Sequence, residues 1–426
     1  MDQEIALLIG TAIGPKEDRD EAEASMLELA ELAESADVRV AGSMIQQRPA
    51  ADARWLIGKG KVLELRMRME QEGANVAIFD TELSPAQVRN LEEALGCKII
   101  DRTQLILDIF AQRAKTREGK LQVELAQLNY LLPRLSGHGV HLSRLGGGIG
   151  TRGPGETKLE TDRRHIQRRV RDLKQQLREL ERHRSLHRAR RRKNGVFQVS
   201  LVGYTNAGKS TLLRALTGAD AYVENRLFAT LDPTTRTMRL PSGKEVLLTD
   251  TVGFIRNLPH DLVAAFRSTL EEVCEADLIL HVVDGSDPER GRRIEVVDNV
   301  LEELGAGSKE QLLVYNKRDL AEVRTELLAP PGHALSVSAL DSGDMQQLKE
   351  RIEQLLQGET IALSIPAADG RALADAYRIG EVISRHEDGE HIHVQVRVNA
   401  RDYEQQAYRI MPYLISSDIQ QEEPRT

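Results

Sequence analysis

The octapeptide around which the chain is organised reads Gly203-Tyr204-Thr205-Asn206-Ala207-Gly208-Lys209-Ser210. It follows an apolar run, Val196 to Val202, and precedes a helical pattern, Thr211 to Leu216. A G-x-x-x-x-G-K-S sequence between a strand and a helix is typical of a loop that wraps a phosphate chain, because its backbone N–H groups and the helix N-terminus supply positive potential. We predict that Lys209 reaches the β- and γ-phosphates of a nucleotide and that Ser210 ligates Mg²⁺.

A second motif, Asn316-Lys317-Arg318-Asp319, follows the apolar run Leu312 to Tyr315. It therefore falls at the carboxyl edge of the predicted sheet, where doubly wound folds bind ligands. A carboxylate there accepts hydrogen bonds from both N1–H and the exocyclic amine of guanine, whereas adenine presents no such pair of donors. We predict that Asp319 selects guanine. The other residues expected around the base are Asn316, Lys317, Ser338, Ala339 and Leu340.

A third motif, Asp250-Thr251-Val252-Gly253, ends another apolar run. We expect Asp250 to hold Mg²⁺ through water and the Gly253 N–H to meet the γ-phosphate. Small GTPases commonly place a glutamine directly after this glycine to orient the attacking water. Phe254 occupies that position here, and an aromatic ring cannot orient water. Intrinsic GTP hydrolysis should therefore be slow unless another group is recruited.

Asn206 has two interpretations that the sequence leaves open. Several potassium-stimulated GTPases carry an asparagine at this position, and a K⁺ ion near the α- and γ-phosphates would supply the charge that an arginine finger provides elsewhere. Alternatively, Asn206 merely tolerates the backbone geometry of the loop. Two further polar residues near this site, Arg256 and His260, either act in trans or have no role, and solvated surface is their default interpretation.

Apolar patterning divides the 426 residues into four predicted domains. Residues 1–115 alternate short strands and helices, which indicates a small α/β domain with a mostly parallel sheet, and Thr103 is predicted to cap its last helix. Residues 116–194 form a helix pair, residues 195–359 a doubly wound P-loop domain with a mostly parallel sheet, and residues 360–426 a small α+β domain. The last domain is expected to contain a helix and strands at His391 to Val398 and Tyr408 to Met411.

The helix pair carries the most distinctive charge of the chain. Leucines recur at spacings of four and three from Leu121 to Leu135, and a similar seam runs from Ile166 to Leu180, so we predict two antiparallel helices. They flank a glycine-rich loop, residues 136–157. Residues 163–193 hold 14 Lys and Arg against three acids, although the whole chain has a net charge of −8. Such a balance exceeds what pairing within the helix can neutralise, and phosphate backbones are the obvious external partner.

Composition excludes several classes of protein. The 40% hydrophobic and 29% charged residues are those of an ordinary globular protein, and two distant cysteines offer neither a disulfide framework nor a zinc site. The acidic start and the lack of a long apolar run argue against a signal peptide and against stable membrane insertion. We therefore expect a cytoplasmic protein, and the helix pair favours a monomer that docks on something larger.

The order of these motifs is similar to that of translation-factor-type GTPases. Three stretches, residues 137–162, 227–233 and 250–254, resemble the HflX family of ribosome-associated GTPases. The resemblance implies that Thr230 caps Mg²⁺ and the γ-phosphate; the residues alone do not choose between Thr230, Thr234 and Thr235. It makes Lys209, Thr230 and Gly253 the candidate catalytic residues. The neighbouring residues that it adds to the nucleotide site are Phe228, Ala229, Leu231 and Asp232.

The same resemblance implies a function. A GTPase of this kind is expected to bind the large ribosomal subunit and its rRNA in the GTP form, to help separate stalled or stressed ribosomes, and to leave after hydrolysis. Alternatives are a GTPase of ribosome biogenesis, of tRNA modification or of a membrane surface. The chain lacks the terminal cysteine motif of the tRNA-modifying enzymes, and its aliphatic helix seam lacks the Trp and Phe anchors usual at membranes.

Overall fold

The structure is a computed structural model. The residues that it describes are 4–14, 19–135, 154–193, 196–218, 226–257, 270, 272–320, 333–398 and 408–415. Most of the glycine-rich loop and His260 lie outside these ranges, so the predictions made for them have no structural counterpart. Within the described ranges, no helix combines the length and the apolar character needed to cross a bilayer.

The N-terminal domain is a four-stranded parallel sheet with helices on both faces. Its strands lie in the order β2-β1-β3-β4. Alternate residues of the third strand face opposite layers, since Val76 and Ile78 join one hydrophobic cluster and Ala77 and Phe79 the other. The elements are β1 (Ile5–Ile13), α1 (Arg19–Ser35), β2 (Arg39–Arg48), α2 (Lys59–Glu72), β3 (Val76–Phe79), α3 (Pro85–Leu95), β4 (Lys98–Asp101) and α4 (Arg102–Arg113).

The start of α4 differs from the prediction. The capping residue is Asp101, whose carboxylate accepts a hydrogen bond from the Gln104 N–H at 2.9 Å. Thr103 lies inside the first turn instead. The predicted cap was wrong because Asp101 ends the strand and caps the helix at once, with no loop between the two elements.

The predicted helix pair is present as α5 (Arg117–Arg134) and α6 (Pro154–Lys193). Glu118 pairs with Arg184 and Glu124 with Arg169, so the two helices run in opposite directions. Their contact is the predicted aliphatic seam, in which Leu173 is completely buried. The residues of this seam are Leu121, Leu125, Leu128, Ile166, Val170, Leu173, Leu177 and Leu180.

The third region is a doubly wound domain with a six-stranded sheet in the order β10-β9-β8-β5-β7-β6. All neighbours are parallel except β6 and β7. The strand β6 was not predicted, because it is an edge strand in which only Met238 is buried and it therefore lacks an apolar run. The elements are β5 (Gln198–Gly203), α7 (Lys209–Thr217), β6 (Thr234–Arg239), β7 (Glu245–Asp250), β8 (Leu278–Asp284), α8 (Arg290–Glu303), β9 (Gln311–Asn316), β10 (Ala334–Ser336) and α9 (Ser342–Gln357).

The C-terminal domain is an antiparallel sheet with one helix. Its strands, β11 (Glu359–Pro366), β12 (Glu381–Glu387) and β13 (His391–Val398), lie in the order β11-β13-β12, and α10 (Gly370–Ile379) packs on one face. The predicted strand at Tyr408 to Met411 is wrong. Residues 408–410 are helical and continue into the 3₁₀ helix Met411–Tyr413, with Ile410 buried in the domain core.

One hydrophobic cluster joins the N-terminal domain to the doubly wound domain. It contains residues of α1 and α4 together with Leu227, Phe228 and Leu231, which follow α7, and Val252 and Ile255, which follow β7. Phe110 and Phe228 meet edge to face, with ring centroids 4.6 Å apart. Two loops of the doubly wound domain are therefore part of a core that they share with the N-terminal domain.

Candidate nucleotide site

The loop between β5 and α7 has a backbone that only glycine permits at two positions. Gly203 has a φ of 151° and Gly208 a φ of 92°. A Cβ at Gly203 would collide with the Val282 carbonyl, and one at Gly208 would collide with the Asn316 side chain. The glycines thus allow the loop to lie against the neighbouring strands β8 and β9 while α7 starts at Lys209.

Lys209 lies at the centre of this loop and is buried. Its ammonium donates to the Gly203 carbonyl at 3.0 Å and the Tyr204 carbonyl at 2.9 Å. Burial lowers the pKa of Lys209 to about 8, although the nearby Asp250 carboxylate acts in the opposite direction. A phosphate oxygen placed here would favour the charged lysine and restore its pKa.

Ser210, Thr230 and Asp250 meet in a compact oxygen cluster. The Asp250 Oδ2 atom accepts from the Ser210 hydroxyl at 2.6 Å and from the Thr230 hydroxyl at 3.0 Å, and the two hydroxyls are 2.9 Å apart. The other carboxylate oxygen of Asp250 is buried without a hydrogen-bond partner in the described residues. Carboxylate and hydroxyl oxygens with an unsatisfied acceptor fit a hard cation such as Mg²⁺.

The contacts of this oxygen cluster distinguish between the three candidate threonines, Thr230, Thr234 and Thr235. Among them, Thr230 is the one whose hydroxyl bonds the side chains of Ser210 and Asp250, whereas Thr234 meets Asp250 only as its backbone partner in the β6–β7 ladder. Thr234 and Thr235 belong to β6, and the Thr235 hydroxyl contacts Thr249 at 3.0 Å. The tertiary structure therefore supports the threonine that the family resemblance implied.

Asn316 links the phosphate loop to the predicted base-binding loop. Its Nδ2 donates to the Ala207 carbonyl at 3.0 Å, and its Oδ1 accepts from the Ala339 N–H at 3.1 Å. Asp319 accepts from the Ser338 hydroxyl at 2.5 Å. The structure thus brings the second motif and the Ser338-Ala339-Leu340 stretch together, with Leu340 exposed at the rim.

A cavity of 280 Å³ opens beside the phosphate loop, and of the predicted base-binding residues Lys317 alone lines it. It is lined by most of the phosphate-loop residues and by the two segments around Thr230 and around Gly253, which we call the switch segments. Lys317 also lines it and is held by an ion pair with Asp284 at 2.7 Å. Arg226 also lines it and was not predicted, since no motif surrounds it in the sequence. The predicted residues that line the cavity are Thr205, Asn206, Gly208, Lys209, Ser210, Thr211, Phe228, Ala229, Thr230, Thr251, Gly253 and Lys317.

The structure does not bring Leu231 and Asp232 to this cavity. Leu231 is buried in the core shared with the N-terminal domain, and so is Val252, a further predicted residue that does not line the cavity. The Asp232 carboxylate faces the start of α5, where it accepts from the backbone N–H groups of Lys115 and Thr116, each at 2.8 Å. The family resemblance implied a nucleotide contact for Leu231 and Asp232, but their side chains form other contacts.

Arg256, interpreted from the sequence as solvated surface, is buried. It pairs with Glu289 at 2.5 Å, and its backbone N–H donates to the Tyr204 hydroxyl at 2.8 Å. That hydroxyl also bonds Glu28 of α1, so a side chain of the phosphate loop contacts the N-terminal domain directly. Burial and the neighbouring Glu28 carboxylate raise the pKa of Tyr204, which stays protonated.

Comparison with known proteins agrees with this geometry. Residues 23–111 match the family model described as GTP-binding GTPase N-terminal, residues 113–191 the GTP-binding GTPase Middle Region, and residues 198–317 the 50S ribosome-binding GTPase. The fold, the phosphate loop and the match of the doubly wound domain define a P-loop GTPase, an enzyme that binds and hydrolyses GTP.

The relatives identify the family. The chain is 51% identical to GTPase HflX of Caldanaerobacter subterraneus subsp. tengcongensis, over 97% of this chain and 95% of the relative. It is 44% identical to GTPase HflX of Escherichia coli K12, over 91% of this chain and 93% of the relative. The chain therefore belongs to the GTPase HflX family. A solved structure, the SsGBP and GDP complex, is 25% identical with a TM-score of 0.46 and covers 83% of this chain and 98% of its own.

Proposed function

We propose that this GTPase binds the large ribosomal subunit and its rRNA in the GTP form, helps dissociate stalled or stressed ribosomes, and is released when GTP is hydrolysed. It would act in the cytoplasm as a monomer. The observation that carries the proposal is the exposed basic surface of α6. The match of residues 198–317 to the 50S ribosome-binding GTPase model supports the choice of partner.

The basic surface of α6 points away from the seam that holds the helix pair together. Val170 and Leu173 face α5, whereas the cationic residues from Arg163 to Arg178 are exposed. Arg164 and Arg169 have acidic partners at Glu160 and Glu124. Exposed cations of α6 that form no ion pair with any residue the structure describes are Arg163, Arg168, Arg171, Lys174 and Arg178.

The nucleotide would be held by residues that line the cavity and, at its base, by the Asn316-Lys317-Arg318-Asp319 motif. Lys209 and the N–H groups of the phosphate loop would bind the β- and γ-phosphates, Gly253 would meet the γ-phosphate, and Asp319 would select guanine. Ser210, Thr230 and Asp250 would hold Mg²⁺. The bound cation would neutralise phosphate charge during transfer.

The shared core explains how the nucleotide would control the rest of the molecule. Thr230 and Gly253 contact or line the phosphate site, and Phe228 and Ile255 nearby pack against α1 and α4. GTP would favour one arrangement of the two loops, and the loss of the γ-phosphate would release it. The N-terminal domain and helix pair would follow because they share a core and backbone contacts with these loops.

The experiment is pelleting of purified large subunits with the protein and a non-hydrolysable GTP analogue or GDP. We expect binding with the analogue to exceed binding with GDP, and to fall steeply with salt, by about 10³ to 10⁵ between 50 and 200 mM if six to ten phosphates are neutralised. The test variant replaces four exposed cations of α6 with glutamine: Arg168, Arg171, Lys174 and Arg178.

A matched control replaces four exposed cations of the doubly wound domain with glutamine: Arg214, Arg236, Arg239 and Lys244. Retention of binding by the α6 variant, or equal binding in the two nucleotide states, would contradict the proposal. Flotation with anionic liposomes tests the membrane-surface alternative, because a lipid-binding helix would float with the vesicles in either nucleotide state.

We also propose that K⁺ stimulates turnover through Asn206. Asn206 lines the cavity and has a φ of 62°, a left-handed conformation that asparagine tolerates better than most residues. The backbone thus accounts for an asparagine here without a cation, and turnover decides between the two interpretations. Steady-state hydrolysis should be faster in K⁺ than in Na⁺ buffer, and an equal rate in the two buffers would exclude the stimulation.

A further inference from the structure

The Asp232 carboxylate, in the switch segment around Thr230, forms hydrogen bonds with the N-terminus of α5, the first helix of the pair. Its Oδ2 atom accepts from the backbone N–H groups of Lys115 and Thr116, each at 2.8 Å, and its Oδ1 atom accepts from the Thr116 hydroxyl. Thr116 is the N-cap of α5, and its hydroxyl in turn accepts from the Gly119 N–H at 2.9 Å. A carboxylate at a helix N-terminus is favoured both by these free N–H donors and by the helix dipole.

Gly119 leaves the space that this contact needs. It lies buried in the first turn of α5, and a Cβ added there would fall on the Asp232 Oδ1 atom, well inside any real carbon–oxygen contact. A glycine is otherwise unfavourable at a helical position. The carboxylate, the cap and the glycine are therefore three parts of one contact, which joins segments more than a hundred residues apart in the chain.

Asp232 is separated from Thr230 by a single residue. Two peptide units limit the distance between their Cα atoms to roughly 7 Å. In the same structure the Thr230 hydroxyl reaches Ser210 and Asp250, and Leu231 between them is buried in the core shared with α4. The segment is thus held at three consecutive positions: the metal-site cluster, the core and the start of α5.

We propose that Asp232 is a positioning residue for GTP hydrolysis, which holds Thr230 at the Mg²⁺ and γ-phosphate site by anchoring the switch segment on the N-terminus of α5. Because coupling between two sites is reciprocal, the bound nucleotide also affects the stability of the N-terminus of α5 through this contact. The proposal rests on the role proposed above for Thr230, and it does not depend on ribosome binding.

Two substitutions break the contact from opposite sides. Asp232→Asn keeps the shape but removes the charge, and Gly119→Ala leaves the carboxylate intact but places a methyl group where it lies. Alanine raises helix propensity, so the second variant should fold at least as well at α5. Glu124→Gln is the matched control, because it removes an exposed ion pair of the same helix, to Arg169 at 2.6 Å, and leaves the Asp232 contact untouched.

The first readout is single-turnover GTP hydrolysis together with the Kd for GTP, without ribosomes. We expect both test variants to lower the hydrolysis rate about tenfold, as the loss of charge-assisted hydrogen bonds implies. Their Kd should change less than threefold, and the control should match the original chain. A purely structural role would weaken GTP binding and thermal stability together, without a selective effect on the rate.

The second readout is amide hydrogen exchange over residues 115–120. In the original chain, exchange should be slower with a non-hydrolysable GTP analogue than with GDP, and both variants should lose this difference. If the variants hydrolyse GTP at the original rate, or if the nucleotide-dependent difference persists in them, the proposal is overturned. Thr230→Ala separates the two proposals: slow hydrolysis in that variant with normal hydrolysis in Asp232→Asn would overturn only the role of Asp232.

Discussion

At the scale of single residues, the charge state of Lys209 follows from its burial. Its pKa of about 8 lies well below that of a lysine in water. Between about pH 8 and the ordinary pKa of lysine, the unfolded chain therefore holds more protons at this position than the folded chain. The stability of the nucleotide-free protein should rise with pH across that window because of Lys209.

Binding of GTP should raise the lowered pKa of Lys209, so that Lys209 takes up a proton when the nucleotide binds. At pH 8.5 the triphosphate is fully ionised and the guanine N1–H is still mostly in place, so proton uptake at that pH comes mainly from the protein. We expect titration calorimetry in two buffers of different ionisation enthalpy to show net proton uptake at pH 8.5, and less of it at pH 7, where Lys209 is already charged. Identical binding enthalpies in both buffers at pH 8.5 would contradict the depressed pKa.

Base selection at Asp319 gives a second prediction at this scale. The Asp319 carboxylate accepts a hydrogen bond from the Ser338 hydroxyl, which restricts its orientation. Asp319→Asn replaces an acceptor with an amide donor, which suits the 2-oxo group of xanthine and not the amine of guanine. We expect GTP affinity to fall roughly 10- to 100-fold, as for lost hydrogen bonds to a charged group.

Competition against a fluorescent GDP analogue measures this change. Xanthosine triphosphate should bind the variant more tightly than GTP does, and the order should be reversed in the original chain. Asp341→Asn, which alters the N-cap of α9, is the control, because the Asp341 side chain accepts from the Asp344 N–H and only its backbone N–H bonds Ser338, a contact that the substitution keeps. Unchanged nucleotide preference in Asp319→Asn would exclude Asp319 as the selecting residue.

At the scale of elements, the helix pair depends on a narrow seam. Leu173 has no exposed surface and packs against Leu121 and Leu125 of α5. Leu173→Ala should lower the free energy of unfolding by about 2–5 kcal/mol, because it removes transfer free energy and leaves a cavity. Chemical denaturation followed by far-ultraviolet circular dichroism measures the loss.

A control for this prediction lies on the opposite face of the same helix. Arg171→Ala changes an exposed residue and should alter stability by less than about 0.5 kcal/mol. A Leu173→Ala variant as stable as Arg171→Ala would mean that the seam does not hold the pair together. Nucleotide binding should stay intact in both variants, since neither residue approaches the phosphate site.

At the scale of the whole molecule, Arg102 joins the N-terminal domain to the loop after Gly253. It pairs with Glu28 and with Asp80, the latter at 2.7 Å, and donates to the Arg256 carbonyl at 3.2 Å. Arg102 is almost wholly buried. Arg102→Met would leave two carboxylates without their cation at this junction, a cost of about 3–5 kcal/mol.

This variant should separate the unfolding of the two domains. Trp55 is the only tryptophan of the chain and lies in the N-terminal domain, so its fluorescence reports on that domain, and release of a fluorescent GDP analogue reports on the GTPase domain. The two transitions should coincide in the original chain and occur at different denaturant concentrations in Arg102→Met. The exposed Arg66→Met serves as control, and coincident transitions in Arg102→Met would show that the domains are coupled without Arg102.

The sequence by itself determined the GTPase core and the helix pair, since each depends on residues that are neighbours in the chain. A phosphate loop is a contiguous backbone feature, and an aliphatic seam recurs every three or four residues, so both are visible locally. The same holds for the parallel strands, whose apolar runs are buried on both faces. The sequence did not predict the polar edge strand β6 or the helical conformation of residues 408–410, because both depend on neighbours from elsewhere in the chain.

Only the tertiary structure decided the partners of side chains that look alike in sequence. Asp232 and Thr230 stand two residues apart, yet one caps a distant helix and the other joins the metal-site cluster. Arg256 became a buried link because Tyr204 and Glu289 converge on it from separate elements. The physical reason is that burial and hydrogen-bond satisfaction are set by the packing of non-local segments, which no local pattern encodes.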